Sequence, residues 1–384
     1  LSNSLGNYDP IFYAQESLIQ LEKALGMAGR VYRGYDKEQR QKGSVISIDR
    51  PTSFTATEVN TTTGGTTQEL APDTVNITLD QWWETKFALS DKELSFTQEQ
   101  IIEKHIRPAA YSIADKIDLT LVALYKQIPW HDTIASTPTV ADITKAYQKL
   151  FDLKAPVEDG NLHFMVDGAV QAGLQNISVF HTVDGAGASG AETQMRGTLG
   201  RKFGFEVFAN QNTPAHLSGT MADTAGAVNA DTAAGATAIV VKSLTDAQTV
   251  KAGDILAITG DSQRYTITAN ATVNSATSIS IYPALKQAAA ENAVVTIYLP
   301  SGTGATKNQC LAFHRNAFAL AMAPLPNIGE QLGARIASVV DPVTGLALRS
   351  RMWYDGDKST VKVGIDALWG VQVLDPNLAV RMVQ

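Results

Sequence analysis

The chain has 384 residues, 44% of them hydrophobic and 18% charged. That is enough apolar material for two or three cores, and it excludes a disordered chain. A formal net charge of −7 excludes a sequence-independent nucleic-acid binder, which needs a basic field to displace counterions. The single cysteine, Cys310, excludes an intrachain disulfide and a multi-cysteine zinc site.

The low charged fraction leaves much surface uncharged, which suits a protein that buries surface against copies of itself. The longest uncharged run, residues 265–285, is rich in Thr, Ser and Asn and predicts paired strands, not a membrane helix. No membrane association is expected. The opening LSNSLGNYDPIFYAQESL has no basic region followed by an apolar core, so no secretory signal is expected. A start at Leu1 implies that an initiator methionine or a longer leader has been removed.

In chain order, residues 11–25 predict a short amphipathic helix with Phe12, Leu18, Leu21 and Leu25 near one face, ended by Gly26 and Gly29. Residues 20–50 carry seven basic and four acidic residues, so the arm holding Arg30 and Arg33 is either solvated or docked on an acidic neighbour. Residues 44–95 predict a long extended excursion. SVISID alternates, a Thr-rich stretch reaches Gly64-Gly65, and TVNITLD returns in period two. A lone two-stranded ribbon is marginal in water. With Trp82, Trp83 and Phe87 at its base, this one needs a surface to lie on, and an adjacent subunit is a candidate.

Residues 96–128 predict a long helix. Thr97 and Gln100 make a capping-box pattern, and Ile102, Ile106, Ala110, Ile113, Ile117, Leu121, Leu124 and Ile128 keep spacings of three or four. Such a span is ~50 Å long at ~1.5 Å per residue, a spine with a break expected near Pro108. Residues 139–210 predict α+β: helices at VADITKAYQKLFDL and AVQAGLQNI, and strands at HFMVD, ISVFHTVD and KFGFEVFAN. Residues 215–300 change character, with four basic and six acidic residues and short strands at TAIVVKSL, DILAIT, RYTIT, TSISIYP and AVVTIYL. Turn residues between them predict a self-contained β insert, a small barrel or sandwich. Then come a helix or strand at CLAFHRNAFALAMAPLP, strands at ARIASVVD, LALRSRMWYDG and TVKVGIDALWG with a hairpin turn near Asp355-Gly356, and a closing VQVLDPNLAVRMVQ.

Chemistry-bearing motifs are weak. Gly185-Ala-Gly187-Ala-Ser-Gly190 is a literal G-x-G-x-x-G, with Glu206 near the distance of a ribose-binding acid. The segment after it is broken by Gly197 and Gly200, so no long helix is expected to offer its N-terminus to a pyrophosphate. Ala191 spoils a nucleophile elbow around Ser189. The six histidines, at 105, 131, 163, 181, 216 and 314, form no metal-ligand spacing. His105 and His314 are expected to be hydrogen-bonded and partly buried. Asp91, Glu93, Glu99 and Glu103 suit a helix start. No enzyme, cofactor or metal is predicted.

Three phrases stand in a telling order: GRKFGFEVFANQNTP (200–214) before the insert, NQCLAFHRNAFALAMAPLP (308–326) after it, and ALWGVQVLDPNLAVRM (367–382) at the end. Together they resemble the major capsid proteins of tailed bacteriophages with the Hong Kong 97 fold, and most of all podovirus coat proteins of the phage P-twenty-two type, which carry an inserted β-barrel. The resemblance implies an α+β capsid fold. Its arm would be 1–43, its extended loop 44–95, and its peripheral domain 96–130 with 334–363. The axial domain would take 131–213, 303–333 and 364–384, and the barrel 215–301. It also implies self-assembly into pentamers and hexamers of an icosahedral shell, with a scaffolding protein and a portal protein as partners. The shell would be assembled in the bacterial host cytoplasm and would enclose double-stranded DNA in the virion without binding it tightly. Subunit-interface candidates are Trp82, Trp83, Phe87, Gly64, Gly65, Arg30 and Arg33. The alternatives are an encapsulin-like bacterial nanocompartment shell and a nucleotide-binding enzyme using the 185–190 loop.

Overall fold

A computed structural model of the chain describes residues 14–19, 21, 26–34, 42–50, 73–90, 105–182, 187–221, 226–327, 334–340 and 346–384. Residues 14–19 are helical. Strands β1 (Val45–Arg50), β2 (Asp73–Thr78) and β3 (Gln81–Ser90) precede helix α1 (Arg107–Val122). Next come β4 (His131–Thr133), α2 (Val140–Asp152), β5 (Leu162–Val166), α3 (Gly168–Gln175), α4 (Ser178–His181) and α5 (Ala188–Arg196). Strands β6 (Gly200–Lys202), β7 (Phe205–Ala209) and β8 (Ala215–Leu217) lead to the insert. The insert holds β9 (Gly226–Val228), β10 (Ala238–Lys242), β11 (Thr249–Val250), β12 (Ile255–Ile258), β13 (Arg264–Ile267), β14 (Ala271–Thr272), β15 (Ala276–Tyr282) and β16 (Val294–Tyr298). The chain ends with β17 (Thr306–His314), β18 (Phe318–Ala323), β19 (Arg335–Val340), β20 (Ala347–Asp355), β21 (Thr360–Val373) and β22 (Ala379–Val383).

The described residues fall into two compact units. One lies within Leu1–Ala24, Arg33–Ala114 and Leu320–Gln372, the other within Leu25–Tyr32, Asp115–Ala319 and Val373–Gln384. In the first, β18, β21, β20 and β19 form a sheet in that order, and β3 pairs with β21 as its fifth strand. The two ribbon strands pair antiparallel as expected, Ile46 opposite Ile77 and Ile48 opposite Val75. Gly370 of β21 is the point of closest approach: a Cβ there would stand 2.3 Å from the Thr78 carbonyl oxygen. Only a glycine lets the foot of the ribbon lie so close to the sheet.

In the second unit a sheet runs β4-β22-β17-β5-β7-β6. All five residues of β5 are buried, as expected of an apolar run covered on both faces. Its core includes Leu162, Phe164, Phe205, Cys310, Val380 and Met382. A reciprocal capping box between Thr139 and Asp142 starts α2, and the Asp167 carboxylate accepts from the Val170 amide to start α3. Strands β10, β15, β13, β12, β16 and β9 close a barrel. Its inward residues, among them Ile239, Val241, Ile279, Ile281, Val295 and Ile297, form their own core. The chain enters and leaves this barrel through a two-stranded stalk, β8 against the start of β17 (Leu217 opposite Thr306, Ala215 opposite Asn308).

Several expectations change. Within the described residues the spine is α-helical over Arg107–Val122 and tightens to a 3-10 turn at Ala123–Gln127. Residues 105 and 106 form a π-helical turn just ahead of Pro108, so the break expected there falls where the regular α-helix begins. Ile128 is extended ahead of Pro129, which closes the helix. ISVFH is the short helix α4, not a strand. KFGFEVFAN is a hairpin, because Phe203 and Gly204 turn at φ 48 and 85. The ambiguous 308–326 stretch is strand. Residues 318–323 and 364–373 lie in the five-stranded sheet with β20.

Candidate functional site

The ribbon base presents two different faces. Trp82, Glu84 and Lys86 of β3 share one face with Asp366 of β21 and with Arg349, Arg351 and Trp353 of β20, through the registers Glu84–Asp366, Lys86–Gly364, Arg349–Asp366 and Arg351–Gly364. Asp366 is fully buried and accepts from Arg349 Nε at 3.0 Å and from the Trp82 indole at 3.0 Å. Arg351 bonds Glu84 and lies 3.5 Å from Asp366. Lys86 and Arg351 both sit over the Trp353 ring. The other face carries Thr85, hydrogen-bonded to Ser112, and Phe87, stacked on His105 at 5.4 Å.

The expected interface residues therefore separate. Trp82 and Trp83 are each 45% exposed, with their indole nitrogens tied to Asp366 and Gln81. Phe87 is half-buried and committed to His105 within the chain. Gly64 and Gly65 lie outside the described residues, as do Asp91, Glu93, Glu99 and Glu103. Arg33 is half-buried. Arg30 is engaged within its own unit: it donates from Nε and NH2 to Glu206 at 3.0 and 2.6 Å and stacks 4.1 Å from the Phe208 ring centroid. Burial opposes ionisation of Glu206, but the hydrogen bond and charge of Arg30 outweigh it and hold its pKa low. His163 lies 3.2 Å from Glu206, and burial pushes its pKa down to about 4 despite that carboxylate.

Sequence reasoning missed the residue that fixes this arm segment. Asp118 of α1 is buried and accepts from the Met27 amide at 2.7 Å and from Asn210 Nδ2 at 2.6 Å. Its signal was a lone acid inside the apolar stripe between Ile117 and Leu121. A second buried polar group locks the stalk. His216 is held by the Tyr125 hydroxyl at 3.2 Å and by Asp254 of the barrel at 3.1 Å, while the second Asp254 oxygen accepts from the amides of Gly219 and Lys251. Arg381 is fully buried, and burial lowers its pKa to about 10 against the opposing charges of Tyr125 and Asp254.

The glycine-rich loop changes meaning. Gly187 is followed by the nine-residue helix α5, which Gly197 ends in the left-handed conformation, so no long helix follows the loop. The segment before it is α4, so the strand–turn–helix context of a dinucleotide site is missing. Gly190 has a packing role: a Cβ would stand 2.6 Å from the Thr182 carbonyl oxygen. Among the described residues no three His, Cys, Asp or Glu side chains gather where they could hold a metal ion, and no helix is long and apolar enough to cross a membrane. His314 bonds Asp159 at 2.7 Å, and burial drives the Cys310 thiol up to about 12. Both serve the core.

No protein-family model matches the chain, and no curated protein matches it in sequence. Among solved structures, a chain of Mycobacterium phage Che8 aligns over 93% of this chain and 90% of its own, at 14% identity and a TM-score of 0.50. A chain from the asymmetric unit of the bacteriophage PhiM1 mature capsid covers 94% and 86% at 13% identity, with a TM-score of 0.48. A chain from the capsid structure of Cyanophage P-SCSP1u covers 92% and 86% at 12% identity, with a TM-score of 0.45. The fold is the α+β Hong Kong 97-like fold expected from the sequence, with its closed-barrel insert.

Proposed function

We propose that the chain is a major capsid protein whose copies assemble as pentamers and hexamers of an icosahedral shell around double-stranded DNA. The observation that carries this reading is the fold, shared over nine-tenths of both chains with a phage protein. The half-exposed tryptophan pair at the base of the ribbon and the acidic net charge support it. A wall of that charge lets packaged DNA slide without adhering. On this reading the partners are other copies of the chain, a scaffolding protein during assembly and a portal at one vertex. The protein would assemble in the bacterial host cytoplasm and finish in the virion. Trp82 and Trp83 are the contacts proposed for a neighbouring subunit.

Electron microscopy of the purified chain, with and without a coexpressed scaffolding protein, tests the reading. Closed icosahedral particles are expected. A chain that stays monomeric under both conditions refutes it, and closed shells packed with protein cargo instead of DNA would favour a nanocompartment.

A further inference from the structure

We propose that Arg381 of β22 and His131 of β4 hold a small monovalent anion of chloride size at the root of the barrel. Arg381 is fully buried. Its Nε, NH1 and NH2 atoms are all buried without a hydrogen-bond partner among the described residues. Burial lowers its pKa only to about 10, so it stays charged at neutral pH. A buried cation is costly unless it is both paired and hydrogen-bonded. His131 stands beside it, opposite Arg381 in the parallel register of β4 and β22, so both side chains leave the same face of the sheet. The His131 Nδ1 atom is buried and without a partner among the described residues as well. In the tautomer that carries its hydrogen on Nδ1, His131 adds a further donor.

The charged groups around this pair do not supply the missing acceptor. Asp254 of the barrel and the Tyr125 hydroxyl face Arg381, yet both are committed elsewhere. Asp254 accepts from His216 and from the Gly219 and Lys251 amides, and Tyr125 bonds His216. Arg264 and Lys149 add their positive charge at His131. Arg264 lies over the ring faces of Trp130 and Tyr298, at 5.6 and 4.9 Å from their centroids, and Lys149 is 3.9 Å from Asp132. The root therefore sets three cations, Arg381, Arg264 and Lys149, against two carboxylates, Asp254 and Asp132. One positive charge is left over.

Charge, shape and enclosure select the ligand. A single charge in excess fits a monovalent anion better than a phosphate or a sulfate. The guanidinium offers its N–H groups in a planar fork, and a spherical ion accepts from several of them and from His131 at once. No part of Arg381 reaches the surface, which suits a single-atom ion. Solvent is the competing occupant, because Gln309 Oε1, two residues along β17 from the register partner of Arg381, is also buried and without a partner among the described residues. A water accepts two hydrogen bonds and carries no charge, so it leaves the excess uncompensated. Through Tyr125 at the end of the spine and His216 in the stalk, an ion at this place makes the seating of the barrel depend on the anion.

The test uses the full chain. Thermal unfolding is followed as chloride rises from about 1 mM to about 100 mM, with gluconate holding the ionic strength constant, and the wild-type midpoint should climb by about 3 °C or more. Arg381→Met, which keeps an unbranched apolar stem without the charge, should show no such climb. In wild-type crystals grown in bromide, an anomalous peak should lie within hydrogen-bond reach of the Arg381 guanidinium and of His131 Nδ1. That measurement decides the matter if Arg381→Met fails to fold. An equal climb in Arg381→Met, the absence of the peak, or light-atom density joining Arg381 to Gln309 Oε1 would overturn the anion site. A bromide peak with no chloride effect on the wild type would mean binding at crystal concentration only, and overturns it too.

Discussion

Gly370→Ala isolates the seating of the ribbon on its sheet. The φ of Gly370 lies outside the left-handed region, so alanine brings no backbone strain, and the effect is steric. The new methyl would stand 2.3 Å from the Thr78 carbonyl oxygen, 2.9 Å from its carbon and 3.1 Å from Ile77 Cγ2. The foot of β2 must therefore lift by about 1 Å, since carbon–oxygen contacts below ~3 Å are repulsive. Overpacking of this kind costs ~1–3 kcal/mol. If Ile77 and Leu79, both fully buried, are partly drawn into water, each adds a share of the ~1.5–3 kcal/mol that burial of such a side chain is worth. The expected loss is about 2–4 kcal/mol, concentrated in the unit that holds the five-stranded sheet. Gly168→Ala is the control: nothing lies within 4 Å of its Cβ position, and α3 should gain up to ~1 kcal/mol from it. Urea denaturation should resolve the two variants, and hydrogen exchange should show faster opening of β1 and β2 in Gly370→Ala alone. Equal stability and unchanged exchange in that variant would refute the seating argument.

Asp118→Ala should cost about 2–4 kcal/mol, because the buried Met27 amide and the Asn210 amide both lose their acceptor; protection of residues 26–32 in hydrogen exchange should fall with it. His131, whose pKa is pushed down to about 3 by burial and then by Arg381, Arg264 and Lys149, is kept neutral in the fold. The unfolded chain takes up the proton first as pH falls below ~6.5, so stability should drop between about pH 6.5 and 3, by up to ~4 kcal/mol from this group. Urea midpoints at pH 7, 5 and 4 should show a shallower decline in His131→Gln; an unchanged slope would count against the assignment. Trp83→Ser should cost the isolated subunit ~1 kcal/mol or less while raising the concentration needed for assembly severalfold, as followed by light scattering.

Local periodicity carried most elements. The barrel strands were legible because inside and outside alternate along each of them, as Ile239 and Val241 do in β10. The helix α2 was legible from its amphipathic pattern and its Thr139–Asp142 box, and the ribbon from the alternation of Val75, Ile77 and Leu79. Turn chemistry was weaker. The Phe203-Gly204 reversal was hidden because an aromatic stands where a turn residue is expected, and ISVFH is too short for its period to separate helix from strand. What the sequence could not show is which distant groups meet. Asp118 and Met27 lie 91 residues apart, Trp82 and Asp366 lie 284 apart, and neither residue of either pair announces the other. Asp366 looks like any strand acid until the fold buries it against Arg349. Gly370 looks like a break in β21 until the Thr78 carbonyl arrives above it. Periodicity is a property of neighbouring residues, so composition and order determine it. The burial of a charge, or the need for a missing methyl, belongs to a pairing that exists only once the chain has folded.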